Sequence, residues 1–146
     1  MGVITPNALT TTYSRTVGVV TQDPVNIDCC KSWLKLNWTV DLDYNKVMVI
    51  SYSKSKGQWD GQPTLGTTYW YLDYHNYLSY GYTSSRAYVE SNAKHHNYDF
   101  QDDNLATYAN HYIYVEGYPN GKYYYEAEWN HTGEYSSLLK AKVYFQ

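Results

Sequence analysis

The sequence predicts an all-β domain, an antiparallel two-sheet β-sandwich of seven to nine short strands, immunoglobulin-like or jelly-roll in arrangement. Residues 34–42 alternate apolar and polar side chains without an error, as a strand with one buried face does. Turn signals separate several further β-rich runs, and no segment of useful length has helical periodicity. The 20 Tyr and 5 Trp favour pleated, half-buried surfaces. We expect one Tyr-rich domain spanning residues 1–146.

The first half of the chain reads as three strands. Residues 10–20 are rich in Thr, Val and Tyr and predict a first strand, bulged at Gly18. Residues 34–42 and 47–52 predict a hairpin around a short polar turn. The second of these runs is apolar at both parities, which predicts a central strand whose outer face is covered by a loop or by a partner.

The middle of the chain mixes loops with short strands. Residues 53–68 contain Gly57, Gly61, Pro63 and Gly66 and predict the longest loop, with Trp59 in its middle. Strand character returns at 69–72, and 77–82 and 86–90 predict two more short strands. Residues 94–104 are polar and predict a loop anchored by Phe100, followed by a single helical turn over 105–108.

The last third predicts a second hairpin and a terminal strand. Residues 112–116 and 122–129 flank Asn120-Gly121, which supplies the positive φ angles that a tight turn needs. Ile113 and Val115 are expected to share a buried face with Tyr123, Tyr125, Ala127 and Trp129. The terminal strand alternates, with Leu139, Ala141, Val143 and Phe145 predicted to point inward and Lys140, Lys142 and Tyr144 outward.

Charge and hydropathy narrow the partner and the location. The net charge is −3 and no basic run is present, which gives no support for a nucleic-acid partner. No apolar stretch approaches the 18 residues of a transmembrane helix. The N-terminal residues do not resemble a signal peptide, so the protein is either cytosolic or has lost its signal. A composition rich in Tyr, Thr, Ser, Asn and Gly is more typical of secreted or surface domains, and we expect an extracellular location.

The two cysteines, Cys29 and Cys30, are adjacent. Neighbouring Cα atoms lie about 3.8 Å apart, below the usual disulfide range of roughly 4.4–6.8 Å, so a bond between the two would be strained. Three interpretations remain open: two free thiols, a vicinal disulfide, or an intermolecular disulfide.

The aromatic excess is the strongest indication of function. Fifteen of the 20 Tyr lie between Tyr69 and Tyr125, and side chains alternate faces along a strand, so some rings must face solvent. Exposed rings suit a carbohydrate or a protein surface, although they could also only cover the sheet by cross-strand pairing. The candidate ligand-binding residues are Trp59, Trp70, Tyr71, Tyr74 and Tyr77.

The histidines and acidic residues give weaker indications. The five histidines are expected at the surface. Asp73 and His75 share a strand face, and adjacent His95 and His96 point to opposite faces if extended. The segment with Asp99, Asp102, Asp103 and Asn104 offers oxygen ligands of the kind that calcium takes, but the EF-hand spacing is absent. No metal or other cofactor is predicted.

No catalytic motif is present, and we expect no enzymatic activity. Glu126 and Glu128 share a strand face, with Glu116 across the hairpin, a pattern more typical of a solvated surface than of a glycosidase. We expect an extracellular, non-catalytic binding or adhesion module whose ligand is a carbohydrate or a protein surface. The alternatives are a self-assembling subunit of a fibre or other homo-oligomer, and a small secreted toxin or effector.

Overall fold

The computed structural model describes residues 9–61, 69–98, 100 and 105–146, and within them the fold is all-β. Eight strands and one 3₁₀ turn, Ser136–Leu138, account for most of these residues. The strands are β1 (Thr10–Gln22), β2 (Asp28–Asp41), β3 (Met48–Asp60), β4 (Tyr71–Thr83), β5 (Arg86–Asn97), β6 (Thr107–Gly117), β7 (Tyr123–Gly133) and β8 (Lys140–Phe145). The predicted fold class is confirmed, although β1 to β7 are longer than the short strands expected from the sequence.

The strands form two four-stranded antiparallel sheets that pack as a β-sandwich. The first sheet has the order β3-β2-β1-β8, and the second has the order β4-β5-β6-β7, which follows the chain. The chain therefore passes between the sheets twice, after β3 and after β7. Strands β3 and β8 are the edges of the first sheet, and β4 and β7 are the edges of the second.

The alternation over residues 34–42 gives the core its first layer. Leu34, Leu36, Trp38 and Val40 are fully buried in β2, as their parity predicted. The prediction is wrong for Leu42, which follows the end of β2 at Asp41 and is exposed. The Trp38 indole N–H donates to the Tyr118 carbonyl oxygen at 2.8 Å, so its polar edge is satisfied. These side chains meet apolar residues of the second sheet, chiefly Val89, Ile113 and Val115.

The predicted loop over 53–68 is wrong for its first half, because residues 53–60 continue β3. Strand β2 supplies the backbone partners for this polar segment, from Asp41 opposite Met48 to Cys30 opposite Asp60. Gly57 lies beneath the indole ring of Trp33, and an added Cβ would come within 2.2 Å of that ring. The second half of the predicted loop, 62–68, lies outside the described residues.

The prediction that 47–52 is a central, covered strand is also wrong. Residues 48–52 of this run belong to β3, which is an edge strand. The register with β2 shifts next to Val40, and Ile50 is left without a partner residue there. Val49 points into the core, whereas Val47 and Ile50 are exposed. Apolar residues therefore occur at successive positions here because the edge strand is bulged, and they do not indicate that its outer face is covered.

Three local predictions change as well. The β1–β2 register is regular at Gly18, and its shift falls between Thr21 and Gln22. Residues 94–97 belong to β5 instead of a loop, because β4 and β6 pair with them on both sides. The predicted helical turn over 105–108 is an isolated bridge followed by the start of β6. Asp99, Asp102, Asp103 and Asn104, the oxygen ligands considered for calcium, lie outside the described residues.

The second predicted hairpin is confirmed as β6 and β7. Gly121 has a φ of 84°, in the left-handed region that the turn requires. Ile113 lies opposite Ala127 and Val115 opposite Tyr125, so the expected residues share a face. Because β7 is an edge strand, Tyr125 and Trp129 on that face stay partly exposed. In β8 the inward Phe145 contacts the Tyr125 ring and is also partly exposed.

A tyrosine face and a buried histidine layer

The structure separates the five predicted ligand-binding residues into different places. Trp59 is 41% exposed on the outer face of the first sheet, where the Lys31 ammonium lies 5.1 Å from its ring centroid. Trp70 is 5% exposed and packs against Phe100 in the interior. A buried ring cannot stack on a ligand at the surface, so Trp70 does not belong to an exposed aromatic face.

The three tyrosines also divide. Tyr77 points toward the space between the sheets, at the seam of β3 and β4, with the ammonium groups of Lys54 and Lys56 over its ring. Tyr71 and Tyr74 lie on the outer face of the second sheet and are exposed. Only these two of the five predicted residues share a surface.

The outer face of the second sheet is unusually rich in tyrosine. Strand alternation places on this one side a set that we call the tyrosine face: Tyr71, Tyr74, Tyr88, Tyr108, Tyr112, Tyr114 and Tyr124. Among the described residues, five carboxylates share this side: Glu90, Glu116, Glu126 and Glu128 on β5 to β7, and Asp73, which binds His96. The intervening residues of β5 and β6 are the buried ones, which fixes the orientation of both strands.

Hydrogen bonds to carboxylates hold several of these rings in place. Glu90 accepts from the hydroxyl groups of Tyr112 and Ser79. Burial and the bond to Glu90 raise the pKa of the Tyr112 phenol, so this ring stays neutral. Glu116 accepts from Tyr114 at 2.8 Å.

Glu116 is bound by two further groups, the Tyr118 hydroxyl and the Arg86 guanidinium. Burial alone would raise the pKa of its carboxyl group, but the hydrogen bonds from Tyr118, Arg86 and Tyr114 outweigh burial and lower that pKa. The Arg86 guanidinium also lies 4.8 Å from the Tyr88 ring centroid. Hydrogen bonds to carboxylates thus fix the rings of Tyr112 and Tyr114 within the tyrosine face.

A cleft of about 360 Å³ opens on the tyrosine face. This volume is at the small end of the roughly 300–1,000 Å³ typical of small-ligand sites. The outward-facing residues that line it are Tyr74, Asn92, Asn110, Tyr112, Glu128 and Asn130. These outward-facing groups are two aromatic rings, three amides and one carboxylate. The other described residues of the lining are Leu78, Ala93, His111 and Trp129, so the described lining contains no Lys or Arg. The Asn110 amide donates to the Asn130 carbonyl oxygen at 3.0 Å, which orients that amide.

Four of the five histidines, predicted at the surface, form a layer inside the sandwich instead. This histidine layer consists of His75, His95, His111 and His131, one from each strand of the second sheet. His95 and His131 flank Ala109 in one row, and Ala93 separates His75 from His111 in the next. The small alanines leave room for the rings of the neighbouring row.

Side chains of the first sheet bind the layer. Thr21 Oγ1 lies 2.7 Å from His111 Nε2 and 2.9 Å from His131 Nε2. Ser32 Oγ lies 2.8 Å from His111 Nδ1. His95 Nδ1 lies 2.8 Å from a carboxylate oxygen of Asp60.

His75 is bound by Gln58 of the first sheet and by Ser91 of its own sheet. Asp73 does not share its surroundings, because the β4–β5 register shifts beside Asp73 and this residue pairs with His96 on the outer side. Burial lowers the pKa of His75 to about 4, with Lys56 adding to the effect. The expected opposite orientation of His95 and His96 is confirmed.

The cysteines lie beside this layer as free, buried thiols. Burial raises the pKa of Cys29 to about 12 and that of Cys30 well above its usual value. Of the three interpretations left open by the sequence, the structure corresponds to the first, two free thiols.

The inside–outside alternation of the strands was enough to predict that these histidines are buried. His95 is in phase with Val89 and Ala93, and His111 is in phase with Ala109 and Ile113, all of them buried. An interpretation that followed the alternation would have placed both rings inside.

Comparison with protein-family models, with curated protein sequences and with solved structures found no match to this chain. Within the described parts of the chain, no three or more His, Cys, Asp or Glu side chains are grouped to hold a metal ion. The same residues include no helix with the length and apolar character to cross a membrane.

Proposed function

We propose that this protein is an extracellular, non-catalytic binding module whose tyrosine face binds a carbohydrate. The observation that supports this most directly is the cleft on the tyrosine face, which is lined by the rings of Tyr74 and Tyr112 together with amide and carboxylate side chains. Sugar rings present apolar C–H faces and a rim of hydroxyl groups. Aromatic rings suit the apolar faces of a sugar. Asn side chains offer hydrogen-bond donors and acceptors to its hydroxyl groups, and the Glu carboxylate offers acceptors.

The charge of the cleft narrows the class of sugar. Among the described residues that line it, Glu128 is the only one that carries a formal charge, so a neutral or amino sugar is favoured over a uronic acid or a sulfated sugar. One of the two tyrosine rings of the cleft, Tyr112, is held in place by its hydrogen bond to Glu90. Binding to such a surface loses little side-chain entropy.

A glycan array of neutral, basic and acidic sugars, probed with the intact chain, tests the proposal. Tyr74→Ala removes one exposed wall of the cleft without touching the core, and we expect at least about tenfold weaker binding, or ~1.4 kcal/mol. Trp59→Ala is the matched control, because it removes an exposed aromatic ring from the opposite sheet. If no glycan binds, or if Trp59→Ala and not Tyr74→Ala abolishes binding, the assignment fails.

Self-assembly is the second candidate, and one observation favours it. The edge strand β3 begins beside exposed apolar side chains, Val47 at 58% and Ile50 at 38% exposure. Exposed apolar residues at a sheet edge favour pairing with another chain. The buried thiols of Cys29 and Cys30 do not favour a disulfide bridge between copies. Light scattering of the chain and of a Val47→Ser/Ile50→Ser variant tests this, since a monomer in both cases excludes assembly through β3.

A further inference from the structure

The histidine layer lies on the opposite side of the second sheet from the tyrosine face, and the proposed binding function does not use it. Its imidazoles connect the two sheets through Thr21, Ser32, Gln58 and Asp60. We propose that this layer is an acid-sensitive switch, in which protonation of the histidines separates the two sheets at this end of the sandwich.

The surroundings of the layer contain little to neutralise added positive charge. The described groups that face it are Thr21 from β1, Cys29, Cys30 and Ser32 from β2, Lys56, Gln58 and Asp60 from β3, and Ser91 from β5. Asp60 is the one carboxylate among them, and it is already bound to His95. Lys56 adds a positive charge, because its ammonium group binds the His75 carbonyl oxygen. Asp23 and Asp28 lie near enough to act on Cys29.

The rings are also close to one another. The centroids of His95 and His111 are 5.3 Å apart. Two imidazolium ions at that separation repel each other strongly in a buried site. The second nitrogen of His95, Nε2, is buried and has no hydrogen-bond partner among the described residues. A buried imidazole nitrogen without a partner already costs free energy, and opening the sheets would hydrate it.

The direction of the pH effect follows from burial. Burial lowers the pKa of His111 well below its usual value and lowers that of His131, and the pKa of His75 is about 4. Between about pH 6.5 and pH 4 the unfolded chain therefore binds more protons than the folded chain. Stability is full above pH 6.5 and falls as the pH drops through this window.

Carboxylates act in a different window. The pKa of Glu116 and the pKa of Asp28 are lowered in the folded chain, so their contributions are present above the unfolded pKa and are lost only at more acidic pH. Hydrogen bonds from Tyr118, Arg86 and Tyr114 outweigh burial at Glu116, and the Gln22 amide has the largest effect at Asp28. A loss of structure between pH 6.5 and 5 therefore reports on the histidines.

The test is the urea unfolding midpoint of the full chain as a function of pH, followed by tryptophan fluorescence. We expect the midpoint at about pH 5 to be less than half of its value at pH 7. A His111→Gln/His131→Gln variant should lose most of this dependence. His96→Gln is the control, because His96 lies on the outer face, and it should retain the dependence. A flat profile in the wild-type chain, or an unchanged slope in the double variant, would overturn the proposal.

A second measurement does not require the variants to fold. Imidazole NMR signals of the wild-type chain should show His75, His111 and His131 neutral down to the pH at which the folded signals disappear together. If these rings instead titrate one by one near pH 6.5 while the core signals stay unchanged, the layer accepts protons without opening, and the switch is wrong.

Discussion

Thr21→Val tests whether the histidine layer stabilises the sandwich at neutral pH. The hydroxyl group of Thr21 lies between two imidazole nitrogens, at 2.7 Å from His111 and 2.9 Å from His131. A hydroxyl group has one donor and two acceptor positions, so it can donate to one ring and accept from the other. Valine has nearly the same shape, and the substitution removes these two hydrogen bonds together with the hydrogen bond between the Thr21 hydroxyl and the Cys30 thiol.

The expected cost follows from what remains. The ring of His111 is buried, and His131 is partly buried, so both nitrogens lose a partner that water replaces poorly. Each buried polar group left without a partner costs about 1–3 kcal/mol. For the two nitrogens together the range is about 2–6 kcal/mol. We expect Thr21→Val to lower the free energy of unfolding at pH 7 by the lower part of this range, ~2–4 kcal/mol, because His131 retains some access to water.

Urea unfolding at pH 7 measures this difference. Thr12→Val is the matched control in the same strand, because the hydroxyl of Thr12 bonds that of Thr39 at the surface, at 2.8 Å. Its cost should stay within about 0.5 kcal/mol. A Thr21→Val chain as stable as the wild type would refute the reasoning that these hydrogen bonds hold the sheets together.

Three further predictions concern single positions. His75→Gln should remove up to ~3 kcal/mol of the change in unfolding free energy between pH 6.5 and pH 4. The pKa of His75 is about 4, below that of an unfolded histidine, so the unfolded chain takes up the proton first as the pH falls. Urea unfolding at both pH values measures this contribution. Gly117→Ala should lower the free energy of unfolding by about 1–3 kcal/mol, since the new Cβ would lie 2.5 Å from the Trp38 ring. In the control Gly81→Ala the new Cβ meets only the end of the Tyr88 side chain, at 3.1 Å, and the loss in the same assay should be less than about 1 kcal/mol. Cys29 and Cys30 should resist alkylation in the folded chain at mildly alkaline pH and react fully in urea, as mass spectrometry would show; rapid modification of the folded chain would contradict their burial.

The alternation of apolar residues was enough to predict the core strands. Leu34 to Val40 in β2 and the β6–β7 hairpin behave as expected, because a strand with one buried face records its orientation in every second residue. The same rule failed in β3, where backbone pairing with β2 holds a polar segment in extended form. The sequence of residues 53–60 by itself gives no information on pairing with β2, so a loop was predicted there.

The site was less predictable than the fold. Tyr71 and Tyr74 were expected to be exposed, and they are, but Trp70, the neighbour of Tyr71 in the chain, is buried against Phe100, which comes from a distant part of the chain. The rest of the tyrosine face comes from β5, β6 and β7, and only the sheet order brings these strands together. The histidine layer was missed because the residue type suggested a surface position while the strand parity indicated the interior.

The location of the bound sugar tests the central proposal most directly. A glycan identified on the array would be titrated into the ¹⁵N-labelled chain, and the side-chain amide signals of Asn92, Asn110 and Asn130 would be followed by NMR. These three amides line the cleft and report on it without any substitution. We predict that their signals shift with saturation while the indole signals of Trp33 and Trp59, on the opposite sheet, stay in place. Shifts confined to those indoles, or no saturable shift at the three amides, would contradict the proposal.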